Sequence, residues 1–187
     1  CRRMRNGLSP MRAEPASLPP PLLIAHSLPA WGGAGLAVML PVLGTQAAAL
    51  PSVLLNATAD FDDVRRWPQP VVEQLEAAWA FHHRRGRTPD VFIGYLADAA
   101  QALAVAQWLG ARRAQIGVVH VDPICGDEGR AYVPQTLVDA WLPVLAQADV
   151  AFPNHTEWTL LARAAGRDLL AGPAPYRRTG GGLRRAG

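Results

Sequence analysis

Between Leu22 and Gly166, short apolar runs of strand type alternate with longer stretches whose apolar residues recur at helical spacing, and turn residues separate them. Leu22–Ala25 reads as a strand, Ser27–Gly35 as a loop, and Leu36–Leu43 as a helix closed by Gly44. Ala47–Leu55, broken by Pro51, supplies a second strand, and Val71–His83 a helix before the turn His83-Arg84-Arg85-Gly86. Then follow strand Val91–Ile93, helix Ala97–Leu109 ended by Gly110, strand Ile116–Val121, helix Leu137–Ala146, strand Val150–Phe152 and helix Thr156–Ala165 ended by Gly166. No internal repeat interrupts this order. Repeated alternation with short links predicts parallel strands joined by right-handed crossovers, hence an α/β three-layer sandwich with a mostly parallel sheet flanked by helices. In such sheets ligands bind beyond the carboxyl ends of the strands, so functional residues should follow strands.

A chain of 187 residues, half of them hydrophobic and 18% charged, suits one hydrophobic core. Residues 1–20 are rich in arginine and proline without apolar periodicity and read as a disordered leader, 21–171 as the domain, and 172–187 as an irregular Arg/Gly-rich tail with no legible strand. A helix ending at Gly166 should be followed by another β unit. The expectation is therefore a domain lacking its C-terminal units, through truncation or a reading-frame change after about residue 170.

Charge is distributed unevenly. Residues 1–14 carry +3 and residues 158–187 carry +5, whereas residues 15–157 carry −5, for the net +3 of the chain. Basicity confined to the ends does not form the contiguous patch that phosphate neutralisation requires, so no nucleic-acid partner is expected. All eighteen basic residues are arginine. Without lysine the chain can have neither a P-loop nor a Schiff base to a carbonyl cofactor. Cys1 and Cys125 alone make no disulfide framework or zinc site. Residues 15–59 hold no formal charge, but Pro29, Pro41, Pro51 and several glycines cut them into pieces too short to span a bilayer. No membrane association is expected, and the cytoplasm is the expected location.

Two segments carry the chemistry. In the first, Val118 to Pro134, a buried strand delivers Asp122 to its carboxyl end, Pro123 stops pairing, and Gly126 and Gly129 allow tight turns. A hydrophilic strand-to-helix loop would look the same. In the second, Ala148 to Glu157, Asn154 can cap a helix and Glu157 lies three residues on, so a capping pair explains both without any ligand. Taken together, adjacent parallel strands would bring Asp122, Asp127 and Glu157 to one sheet edge. Hard oxygen ligands suit magnesium, which keeps several waters and binds substrate phosphates, so a nucleotide partner follows.

The order of "VDPICGDEGRAYVP" and "ADVAFPNHTEWTLL" resembles the DPVMGD and PNxxE segments of pyridoxal kinases, members of the ribokinase-like family. The resemblance implies the ribokinase-like fold and assigns ATP phosphate and magnesium binding to Asp122, Asn154 and Glu157, with Asp127 a weaker metal ligand. Ser27 to Gly35 is similar to the family's Ser-His-x-x-Tyr-Gly-x-x-Gly substrate loop, Ser52 falls where a substrate-facing Thr is usual, and Ile93-Gly94-Tyr95-Leu96 resembles its Thr-Gly-Tyr segment. The resemblance thus makes Ser27, Ser52 and Tyr95 substrate contacts. Leu28 replaces the loop His, Trp31 the Tyr, and Asn56-Ala57-Thr58 stands where Ser-Asn-His is usual. The family's Gly-Thr-Gly-Asp loop, whose glycines and helix N-terminus form an anion hole and whose Asp is the base, has no counterpart: Thr179-Gly180-Gly181-Gly182-Leu183 holds no acid, and Asp168 is the last acid in the chain. No catalytic residue is carried over.

The resemblance implies ATP- and magnesium-dependent phosphorylation of the hydroxymethyl group of pyridoxal or a related B6 vitamer, as in vitamin B6 salvage. Hydroxymethylpyrimidine kinase activity on the same fold, and a non-catalytic ligand-binding remnant, stay open, as does a homodimer.

Overall fold

The computed structural model describes residues 21–58 and 63–166, together with the backbone of 176–179 and 182–185. The expected leader, residues 1–20, lies outside the described residues. The elements run β1 (Leu22–Pro29), α1 (Leu36–Leu43), β2 (Ala47–Leu55), β3 (Arg66–Pro68), α2 (Val71–His83), β4 (Asp90–Ile93), α3 (Ala99–Arg112) and β5 (Val119–Val121). They continue with β6 (Gly126–Asp127), β7 (Arg130–Ala131), α4 (Gln135–Leu145), β8 (Val150–Ala151), α5 (His155–Ala164), β9 (Tyr176–Thr179) and β10 (Gly182–Arg185).

The main sheet has the order β10-β9-β8-β5-β4-β1-β2-β3, and its five central strands, β8 to β2, are parallel. β3 and the β9–β10 pair are antiparallel additions at the two edges, and β6 and β7 form a separate hairpin. Alternation along each strand divides the residues between two faces. Leu23, Ala25, Val91, Ile93, Val119 and Val121 join α2, α3 and α4 in one buried cluster that includes Leu75, Val105, Leu109 and Trp141. Ile24 and Leu36 are fully buried outside that cluster, where α1 packs on β1 and β2. Helices therefore flank a mostly parallel sheet.

Most boundaries move for local reasons. α3 runs past Gly110 to Arg112, because a glycine costs a helix only about 1 kcal/mol and does not by itself stop it. It begins at Ala99 rather than Ala97 because the Asp98 carboxylate caps the Gln101 N–H at 2.8 Å. β5 starts late, since Gly117 N–H donates to the Pro89 carbonyl and Val118 N–H to the Asp90 carboxylate, each at 2.8 Å, outside the ladder. β1 extends to Pro29 because β2 stays paired with it that far. The tail read as irregular contributes β9 and β10: backbone pairing continues the sheet where no apolar alternation announces a strand. No helix among the described residues is long and apolar enough to cross a membrane.

Trp141 is fully buried in α4, and among the described residues its indole N–H has no partner. Trp141→Ala should cost about 3–5 kcal/mol in urea unfolding. Trp141→Phe removes the unpaired donor along with part of the volume and should cost about half as much or less. Equal losses would contradict an unpaired indole.

Candidate functional site

The two loops that follow β5 and β8 are tied into one unit. Asn154 caps α5 by accepting the Glu157 N–H at 2.9 Å, and the Glu157 carboxylate returns to the Asn154 N–H at 2.8 Å, a complete capping box. The same carboxylate accepts the Cys125 N–H at 3.3 Å with its other oxygen. The Asn154 side-chain amide donates to the Gly126 carbonyl at 2.9 Å, and the Thr156 hydroxyl accepts the Gly129 N–H at 2.8 Å. Gly126 is needed at this crossing: a Cβ there would stand 2.6 Å from the Arg130 carbonyl oxygen and 2.8 Å from Leu160 Cδ1.

Asp122 follows β5, with its N–H donating to the Ile93 carbonyl at the end of β4 at 2.8 Å. Its carboxylate has no hydrogen-bond partner among the described residues, and burial pushes it up to about 6. Glu157, buried within the crossing, is pushed up to about 7, chiefly by burial, with the charges of Asp122 and Asp127 adding to the effect and the two backbone N–H groups opposing it. Cys125, fully buried beside them, has its thiol pushed up to about 12 by burial and by the charges of Glu157 and Asp122. It is an inert core thiol.

The expected cluster of three carboxylates is not formed. Among the described residues no three His, Cys, Asp or Glu side chains gather into a group that could hold a metal ion. Asp127 lies exposed on the hairpin, its carboxylate accepting the neighbouring Glu128 N–H at 2.8 Å. Asp122 and Glu157 are the pair that β5 and β8 bring together, and both oxygens of Glu157 are already engaged.

Of the other three candidates, Ser27 and Ser52 lie in the carboxyl-terminal halves of β1 and β2, and Tyr95 lies just beyond β4. Ser52 is fully buried at an irregularity in the β1–β2 register, and its hydroxyl donates to the Tyr95 carbonyl. Tyr95 is buried with Val53 and Leu55, against Ile124 and Val133, and its hydroxyl accepts from Arg66 Nε at 3.4 Å. Ser27 is buried beside His26. Two neighbours of these residues were not singled out by the sequence. His26 falls between the expected strand Leu22–Ala25 and the loop Ser27–Gly35, and Tyr132 lies within the segment Val118 to Pro134 with no pattern that marks it. Tyr132, 45% exposed, stands within electrostatic reach of Glu157, Tyr95 and Asp122 and so adjoins both halves of the site.

This sheet order, with its loops at one end of the parallel strands, defines the ribokinase-like class of α/β proteins. Within that class the chain is similar to several pyridoxal kinases. It is 30% identical over 182 residues to the pyridoxine/pyridoxal/pyridoxamine kinase of Bordetella pertussis, a match covering 86% of this chain and 64% of that protein. The pyridoxal kinase of Lactobacillus plantarum superposes with a TM-score of 0.62 at 30% identity, covering 77% of this chain and 53% of that one. The Leishmania donovani pyridoxal kinase in complex with ADP and pyridoxamine gives 0.64 at 25%, covering 78% and 53%. The chain thus spans less than two thirds of the Bordetella relative and about half of each solved kinase. No family model matches the chain.

Burial gives Asp122 a sign that can be tested. Its folded value of about 6 lies above the ordinary 3.8, so between these the folded form binds more protons than the unfolded one. Stability of the ligand-free protein therefore falls as pH rises through this window. Asp122→Asn should raise stability at pH near 8 by about 1–2 kcal/mol. In unfolding measurements across pH the gain should shrink towards pH 4, and a gain independent of pH would contradict it.

Proposed function

We propose that the chain carries the vitamer- and nucleotide-binding part of a kinase that transfers phosphate from ATP to the hydroxymethyl group of pyridoxal or a related B6 vitamer. The observation that carries this reading is Asp122: a largely buried carboxylate without a hydrogen-bond partner among the described residues, beside a second desolvated carboxylate, at the carboxyl end of a central parallel strand. Such a group is poorly solvated when charged and is satisfied by a cation. The pyridoxal kinases among its relatives, one of them in complex with ADP and pyridoxamine, support the choice of ligands.

In this reading magnesium belongs at Asp122. The donor set fits, because magnesium binds through one or two carboxylates and fills its remaining positions with water and substrate phosphate. Glu157 keeps its two backbone hydrogen bonds and acts on the cation through its charge or an intervening water, and Asp127 contributes charge from the rim. When bound, magnesium would neutralise the charge of the transferring phosphoryl group. Asp122, Asn154 and Glu157 form the nucleotide side. Asn154 does this by holding Gly126 and the start of α5 in fixed relation, so that backbone N–H groups can meet phosphate without rearrangement. Ser27, Ser52 and Tyr95 form the vitamer side, with Ser52 fixing the Tyr95 backbone. The reading gives Asp122, Asn154 and Glu157 binding roles and makes none of them the catalytic base. A cytoplasmic location goes with the reading, because ATP and the vitamers meet there, and a homodimer stays open.

Two other readings are favoured by particular residues. Leu28, Trp31 and Asn56-Ala57-Thr58 differ from the pyridoxal-type pattern and leave room for a hydroxymethylpyrimidine. The acid-free glycine run 180–182 favours binding without turnover. Calorimetry and a phosphorylation assay with pyridoxal, hydroxymethylpyrimidine and Mg–ATP separate all three. The expected result is binding of pyridoxal and of Mg–ATP, with Asp122→Asn weakening Mg–ATP about ten- to a hundredfold while leaving pyridoxal affinity unchanged. Preference for the pyrimidine, or nucleotide affinity unaffected by magnesium and by Asp122→Asn, would overturn the reading.

A further inference from the structure

His26 sits one residue before Ser27 on β1, and its ring is enclosed. It is 6% exposed and lies parallel to the Phe92 ring at 6.3 Å between centroids. Two glycines make room for it: a Cβ at Gly94 would fall 2.1 Å from His26 Cδ2, and one at Gly35 would fall 2.9 Å from His26 Nδ1 and 2.7 Å from Ser27 Oγ. The backbone N–H of Ser27 points at His26 Nδ1 at 2.8 Å. A nitrogen that accepts this hydrogen bond cannot carry a proton of its own, so the neutral ring holds its proton on Nε2. The Ser27 hydroxyl oxygen lies 3.1 Å from the same Nδ1. With Nδ1 unable to donate, the only hydrogen bond between them runs from the hydroxyl to the ring. Burial holds the imidazole at about 4, so this arrangement persists throughout the neutral range.

We propose that His26 is a positioning residue that turns the Ser27 hydroxyl proton inward, so that Ser27 meets a ligand only as a hydrogen-bond acceptor and selects a heteroaromatic ring that offers a donor. The inference rests on the reading in which Ser27 faces the vitamer ring, and extends it. A pyridinium N–H supplies the donor. A ring whose nitrogen stays unprotonated presents a lone pair to a lone pair, and the missing hydrogen bond is left unmade at a desolvated position. Without His26 the hydroxyl can rotate, donate instead of accept, and tolerate both.

The test has a ligand-free arm and a ligand arm. In the ligand-free protein, long-range proton–nitrogen correlation spectra of His26 should show the Nε2-protonated tautomer with Nδ1 as acceptor, and Ser27→Ala should perturb the Nδ1 signal. A proton on Nδ1 would overturn the proposal. In calorimetry, the unmodified protein should bind pyridoxal about tenfold or more tightly than 6-fluoropyridoxal, whose ring nitrogen stays unprotonated. His26→Leu should abolish the discrimination, and His26→Asn, whose Oδ1 can replace Nδ1 as acceptor, should restore it. Discrimination that persists in His26→Leu would overturn the proposal. If His26→Leu fails to fold, His26→Gln, which cannot place its acceptor at the Nδ1 position, serves in its place. Binding of neither compound to the unmodified protein would overturn the vitamer reading and the ligand half of the proposal together, while the tautomer spectrum would still decide the inward hydrogen bond.

Discussion

The carboxylate of Glu157 joins two loops that are otherwise separated by a helix and a strand. One oxygen takes the Asn154 N–H at the start of α5, and the other takes the Cys125 N–H after β5. Asn154 and Thr156 complete the clasp through Gly126 and Gly129. Each bond satisfies a buried or partly buried backbone group that has no place in a helix or sheet ladder, so none is dispensable without leaving a polar group unpaired. The clasp fixes the direction in which the chain leaves β5, and with it the position of Asp122. Removing the Glu157 carboxylate would free both loops at once.

The clasp also explains how the site holds charge that the core would otherwise reject. Desolvation raises both Asp122 and Glu157, and for Glu157 the charge of Asp122 adds to it. Glu157 is compensated by backbone N–H groups, whereas Asp122 has none among the described residues. Folding therefore stabilises a geometry in which one carboxylate is satisfied within the protein and its neighbour is not. In the proposed function the unsatisfied carboxylate is the one left for a cation, and its burial comes at the expense of ligand-free stability.

The strand–helix order was legible because the central strands carry short, mostly apolar runs and the helices a repeating apolar face. The capping box was legible too, since Asn154 and Glu157 stand at its required spacing. Less visible were features set by neighbours distant in sequence. β3 is three residues long and pairs only because β2 offers an edge, and β9 and β10 carry arginines where a strand normally shows alternation. Adjacent parallel strands likewise led to the expectation that Asp127 would join Asp122 and Glu157, but the tight β6–β7 turn carries it to the surface. His26 escaped notice because its role depends on Gly35 and Gly94, which reach it only through the fold.

The proposed function places a metal-bound nucleotide at Asp122. Paramagnetic broadening by Mn–ADP, read residue by residue in the amide spectrum, locates it directly. Broadening should centre on the segments Asp122 to Gly129 and Asn154 to Glu157, and Asp122→Asn should abolish it at the same concentration. Broadening centred elsewhere, or unchanged by that substitution, would contradict the account.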